Sequence, residues 1–236
     1  MQGKSLLPAA TAGRRKGGSH YVSISLRRRA RPGVRHGREA GQTLVEFALI
    51  FPLFFLLLLA LIEFTFVFSG MLGISYATRD AALIAAEAGN ATDADCAILR
   101  AVDNAVSAPG DDNRIGTVTI YRADQNGVAI PGEANTYARG GTTTCTLPDG
   151  TSITVPYTPS GAQGYPPSSR CNVVAGDTTG GCEVGHPGLD TIGVRVTYIH
   201  QWVTPLGGFP GPGFGGQGGS GFTLTQSNSM RMEPIL

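Results

Sequence analysis

The hydrophobic pattern changes character three times along the chain. From residue 47 to 78 almost every position is apolar or neutral, and Glu63 is the single charge. At about 1.5 Å of rise per residue this run exceeds what a bilayer core of roughly 30 Å requires. Pro52 falls inside it and predicts a kink or a loosened turn. The pattern then turns helical: Ile74, Ala77, Ala81, Ile84, Ala85 and Ala88 share one face, and Gly89-Asn90 supplies a stop. A continuous helix from about residue 43 to 88, about 70 Å long, is predicted. Its small-residue stripe suits close packing against another helix or a small domain.

A second helix is expected over 93–107, with Thr92 as its cap, Asp95 three residues on, and Pro109-Gly110 as its end. Beyond it the composition shifts to Gly, Thr, Pro and Val. Strands are predicted at 116–122, 142–147, 152–157, 191–202 and 222–232, with Gln125-Asn126-Gly127 as a turn after the first. In 191–202, Ile192, Val194, Val196 and Tyr198 alternate with small or polar residues, the period of a half-buried antiparallel strand. Residues 160–170 and 207–221 read as long Gly/Pro-rich loops. The predicted fold class is therefore α+β: a long N-terminal transmembrane helix extending into a small, loop-rich antiparallel β domain. Three segments follow: a disordered basic leader (1–41), the helix (42–89) and an extracytoplasmic α+β domain (90–236).

The formal net charge of +1 conceals an asymmetry, because the first 40 residues hold ten Lys/Arg and one acid, while the other 196 hold eight Arg, no Lys and sixteen acids. Basic residues before an apolar span place that side in the cytoplasm, so a single-pass protein of the cell (inner) membrane, N-terminus inside, is expected. The leader's charge suits anionic lipid better than nucleic acid, and no nucleic-acid partner is expected. The apolar run is too long, and its sequel too bulky, for a cleaved secretory signal. Cys96, Cys145, Cys171 and Cys182 all fall on the outer side, where disulfides persist. Four cysteines allow three pairings. The short Gly-rich loop between Cys171 and Cys182 favours that pair, leaving Cys96 for Cys145. With no C-x-x-C and no histidine cluster, a metal site is not expected.

Catalytic signals are weak. Residues 211–216 satisfy G-x-G-x-x-G, but with a proline inside and no helix pattern after them. Asp111-Asp112-Asn113 lacks the spaced ligands of a calcium loop. His186 and His200 are the histidines outside the leader, with no nucleophile motif near them, and His200 reads as a surface or interface residue. No enzyme activity and no cofactor are expected. A signal-anchored extracytoplasmic enzyme (a small hydrolase) and a surface adhesin module stand as the alternatives.

The head of the apolar run carries the most specific pattern. Gly41-Gln42-Thr43-Leu44-Val45-Glu46-Phe47 has the form G-x-x-x-x-E-[FY] before an apolar helix. It resembles the processing site of type IV pilins and pseudopilins. A glycine lets a peptidase approach the backbone closely, and a carboxylate at the edge of hydrocarbon is costly unless partnered. The inert alternative for Glu46 is a headgroup-level position favoured by its helix N-terminus. Glu63, nearer the far interface, either pairs with a partner subunit or reaches the headgroups. More narrowly, Gly41-Gln42, Val45-Glu46-Phe47-Ala48-Leu49, Pro52 with the leucine run, Ile62-Glu63-Phe64, the Ala77–Ala82 continuation and the closing 194–198 and 230–234 segments are similar to the TadE-like family of tight-adherence (Flp) pilus assembly proteins. The resemblance implies a pilin-like architecture and a pseudopilin-like role in Flp/type IVb pilus assembly or a related secretion apparatus. It implies cleavage between Gly41 and Gln42 by a prepilin peptidase. It also implies contacts of Glu46, Phe47 and Glu63 with other assembly subunits in the lipid bilayer.

Overall fold

The computed structural model of the protein describes residues 39–106, 112–147, 149–174, 182, 188–204 and 221–234. The leader to residue 38, the Pro109-Gly110 stop, Asp111, His186 and the 211–216 glycine motif lie outside these. The chain divides into two compact units, Met1–Phe47 and Ala48–Leu236. Of the first, the opening turns of helix α1 (Glu39–Ala88) are described. The second holds the rest of α1, helix α2 (Ala94–Val106) and five strands: β1 (Ile115–Ala123), β2 (Ala129–Thr146), β3 (Ser152–Gln163), β4 (Thr191–Gln201) and β5 (Gly221–Arg231). The fold is α+β, a long apolar helix leading into a small antiparallel β domain, as the sequence predicts.

Helix α1 runs through Pro52. Every residue from Gly41 to Leu58 is exposed, and burial begins in earnest at Glu63. From there Gly70, Ile74, Ala77, Ala81 and Ala85 are buried at helical spacing. The stripe packs against the chain's own domain: Ile98, Leu99 and Val102 of α2, and Val118, Ile120, Val194, Val196 and Tyr198 of the sheet, share its core. At Gly70, which has no side chain, Tyr198 comes to 3.4 Å from where a Cβ would stand. Gly89 closes the helix at φ +56°, where a Cβ would come within 2.6 Å of Asn172 Nδ2.

The sheet order is β3-β2-β1-β4-β5, with every neighbouring pair antiparallel. β1 and β2 form a hairpin at the predicted turn, where Asp124 Oδ1 accepts the N–H groups of Asn126 and Val128, each at 2.8 Å. Gly127 there takes φ +79°. Two stretches differ from the sequence reading. β2 begins at Ala129, thirteen residues before the predicted strand, and β3 continues into the expected loop as far as Gln163. The early part of β2 contains Pro131, Gly132 and Glu133, poor strand formers. It becomes a strand because β1 pairs with it over 129–138 and β3 pairs from Asn135 onward. Beside α1, β5 runs in the same sense as the helix: a Cβ on Gly70 would lie 3.9 Å from Leu224 Cδ1, and Glu233 N–H donates to Ala86 O at 3.1 Å.

Candidate functional site

The predicted junction residues sit together on the first turns of α1. Gly41, Gln42, Glu46 and Phe47 are all exposed, and Gln42 Nε2 donates to Glu46 Oε1 at 2.9 Å across one helical turn. The helix begins at Glu39, so Gly41 lies inside it rather than ahead of it. A Cβ at Gly41 would meet nothing within 4 Å. Glycine costs a helix interior about 1 kcal/mol relative to alanine, so nothing in the fold favours it there.

Glu63 sits elsewhere and in a different environment. Glu63 is 3% exposed, and its carboxylate lies against the end of β4. Oε1 meets His200 Nε2 at 2.7 Å, while Oε2 accepts the N–H groups of Val203 at 3.1 Å and Thr204 at 2.9 Å. The sequence reading offered Glu63 a partner subunit or the headgroups; its acceptors are occupied within its own chain. His200, read as a surface or interface residue, is 2% exposed, with the Phe222 ring at 5.1 Å and Trp202 edge-on at 6.3 Å. The physical reason is strand parity, since His200 continues the inward series Ile192, Val194, Val196, Tyr198. A carboxylate on a long apolar helix is thus matched by two backbone donors and an imidazole.

A third cluster fastens α2 to the sheet. Asp95 Oδ2 accepts from Tyr137 OH at 2.5 Å and Asn135 Nδ2 at 2.9 Å, and its other oxygen is paired with Arg170. Asp190 accepts from Tyr165 OH and from the Cys171 N–H, each at 2.9 Å, and faces Arg122 Nε at 2.8 Å. Burial, reinforced by the neighbouring Asp95 and Asp190 charges, pushes the Tyr137 and Tyr165 phenols well above the ordinary range, so both act as donors. Disulfides join Cys96 to Cys145 and Cys171 to Cys182, with Cα atoms 6.3 and 4.6 Å apart. The first ties α2 to the far end of β2, and the second lies beside the Asp190 cluster.

These groups hold elements together. The Glu63, Asp95 and Asp190 carboxylates all bond to groups inside the protein, which is the chemistry of a fastener. A shallow groove between α2 and β3, about 330 Å³, is lined by Arg100, Asp103, Asn104 and residues 153–156. Its acid, Asp103, is already paired with Arg139, which also reaches Asp112 at 2.8 Å. Among the described residues no group of three or more His, Cys, Asp or Glu is placed to hold a metal ion.

Fold and site define a protein built, among the described residues, on one helix long and apolar enough to cross a membrane, whose C-terminal half packs into the core of an α+β domain. Within that class, residues 41–83 match the family model described as TadE-like protein. The match takes in the junction, Glu63 and the stripe as far as Ala81, and with the helix it fits a membrane protein associated with a tight-adherence pilus. No curated protein and no solved structure matches the chain.

Proposed function

We propose that this protein is a membrane-anchored, pseudopilin-like component of tight-adherence pilus assembly, non-enzymatic, acting through its N-terminal helix. The observation that carries this reading is the junction: an unencumbered Gly41 and an exposed Glu46 at the head of the exposed apolar helix, inside the TadE-like segment. A glycine that the fold does not need suits an external protein that must approach the backbone. Cleavage after Gly41 by a prepilin peptidase makes Gln42 the new N-terminus, with Glu46 one turn along. In hydrocarbon that carboxylate is stabilised by a cation, and the amine of a neighbouring subunit supplies one. The basic leader sets the N-terminus in the cytoplasm and the β domain outside.

Two experiments test the reading separately. Mass spectrometry of the mature N-terminus, with prepilin peptidase present and absent, should show a peptidase-dependent start at Gln42; a start upstream of Gly41 in both strains removes the cleavage step. Deletion of the gene should abolish pilus filaments. Intact filaments in the deletion strain would remove the assembly role.

A further inference from the structure

Glu63 ties the β domain to a particular level of the helix. Preceding it, from Gly41 to Leu58, the side chains of α1 are all exposed and overwhelmingly apolar. At Glu63 the end of β4 closes over the carboxylate through His200, Val203 and Thr204. The end of the β4–β5 pair therefore stands where the exposed apolar run gives way to the buried stripe. Its composition fits that level: 196–204 and 221–230 contain no Asp, Glu, Lys or Arg. The opposite end of the same strands carries Arg231, flanked by Asp190 and Glu233, and meets Arg122 of β1. The end presents Val203, beside Glu63, at 53% exposure and Ile199, on the sheet face opposite His200, at 45%, with Trp202 half-buried against Phe222 at 5.7 Å. A tryptophan among apolar neighbours, with the nearby Glu63 carboxylate buried and bonded within the chain, is the side-chain set of a membrane interface.

Resting on the membrane-anchor reading above, we infer that Ile199, Trp202 and Val203 form a lipid-headgroup contact that seats the β domain on the bilayer from which its own helix emerges. Continuity with the apolar helix surface selects lipid as the occupant. A bilayer placed on the exposed helix run reaches the level of Glu63, and the bonds of Glu63 fix the strand end there. The same bonds satisfy Glu63, the single charge between residues 47 and 78, where water is scarce.

Trp202 is the chain's single tryptophan, so its emission reports this site alone. The test uses the full-length protein reconstituted in phosphatidylcholine vesicles, with bromine placed either shallow or deep on the acyl chains. Flotation of the vesicles first confirms insertion; a protein that stays out of the vesicles overturns the anchor and this inference together. With insertion shown, the expected result is stronger quenching of Trp202 by shallow than by deep bromines, and weak quenching by aqueous iodide. Absence of quenching by either lipid, with free access for iodide, would place the strand end in water and overturn the inference alone. Stronger quenching by deep bromines would overturn it as well.

Discussion

The Arg170 guanidinium, wholly buried, lies against the carboxylate of Asp95, the second residue of α2 and 75 positions earlier in the chain. Its Nε and Nη1 have no hydrogen-bond partner among the described residues, and the charge is met by Asp95 and by the face of Tyr165 at 5.1 Å. Removing one member of such a pair leaves the other charge buried, at about 3–5 kcal/mol. Arg170→Met should lower stability by that order in urea denaturation. Arg170→Met with Asp95→Leu should recover part of the loss, and a strictly additive double variant would show that the two are not coupled.

Tyr121 lies across Gly193, its partner on the neighbouring strand, so closely that a Cβ on Gly193 would stand 2.3 Å from Tyr121 Cζ. The ring also carries Arg195 above it at 5.2 Å. Gly193→Ala should therefore cost about 1–3 kcal/mol through forced displacement of the ring. Adding Tyr121→Ala should shrink that penalty, since the clash needs both partners; melting temperatures of the three variants decide it.

The disulfides should contribute unequally. Cys96–Cys145 spans 49 residues and Cys171–Cys182 spans 11. On the loop-closure estimate the first constrains the unfolded chain by about 4 kcal/mol and the second by about 3. Replacing Cys96 and Cys145 by alanine should lower the denaturation midpoint more than the same change at Cys171 and Cys182. The reverse order would point to packing around Asp190 as the larger effect.

Alkaline pH should unfold the domain through its tyrosines. Burial, with the charges of Asp95, Asp103 and Asp190 beside them, raises Tyr137, Tyr157 and Tyr165 far above the usual value of about 10. A raised folded pKa means that the stabilisation is fully present below pH of about 10 and is lost as the pH climbs beyond it, because only the unfolded phenols release protons there. Spectrophotometric titration of single Tyr→Phe variants should show Tyr137, Tyr157 and Tyr165 ionising only with unfolding. Ordinary titration of these three in the folded protein would contradict this.

Long single-period signals were legible in the sequence, and contacts between distant short segments were not. Helix α1 and strand β4 each obey one periodicity over many residues, and both form as that periodicity predicts. The first half of β2 has no such signal; its strand state comes from two flanking partners. His200 shares the parity of Tyr198 and could have been placed inward, but its partner Glu63 lies 137 residues away and on a helix. The alanine stripe was visible as a packing face, while its occupant, the chain's own sheet, was not. No spacing rule gathers Asp95, Asn135, Tyr165, Arg170 and Asp190 into one cluster.

The sheet's two edges share a direction. With every neighbouring pair antiparallel in a five-strand order, β3 and β5 both run the same way, and β5 follows α1. Copies standing in one membrane with the same orientation are related by rotation about its normal, which keeps every strand's sense. Edge-to-edge meetings between them could only be parallel, the slightly weaker pairing. Pro156 and Pro159 further remove backbone donors from β3. Molecules crowded side by side therefore have only the parallel pairing open to their sheet edges, with fewer donors on the β3 side to make it.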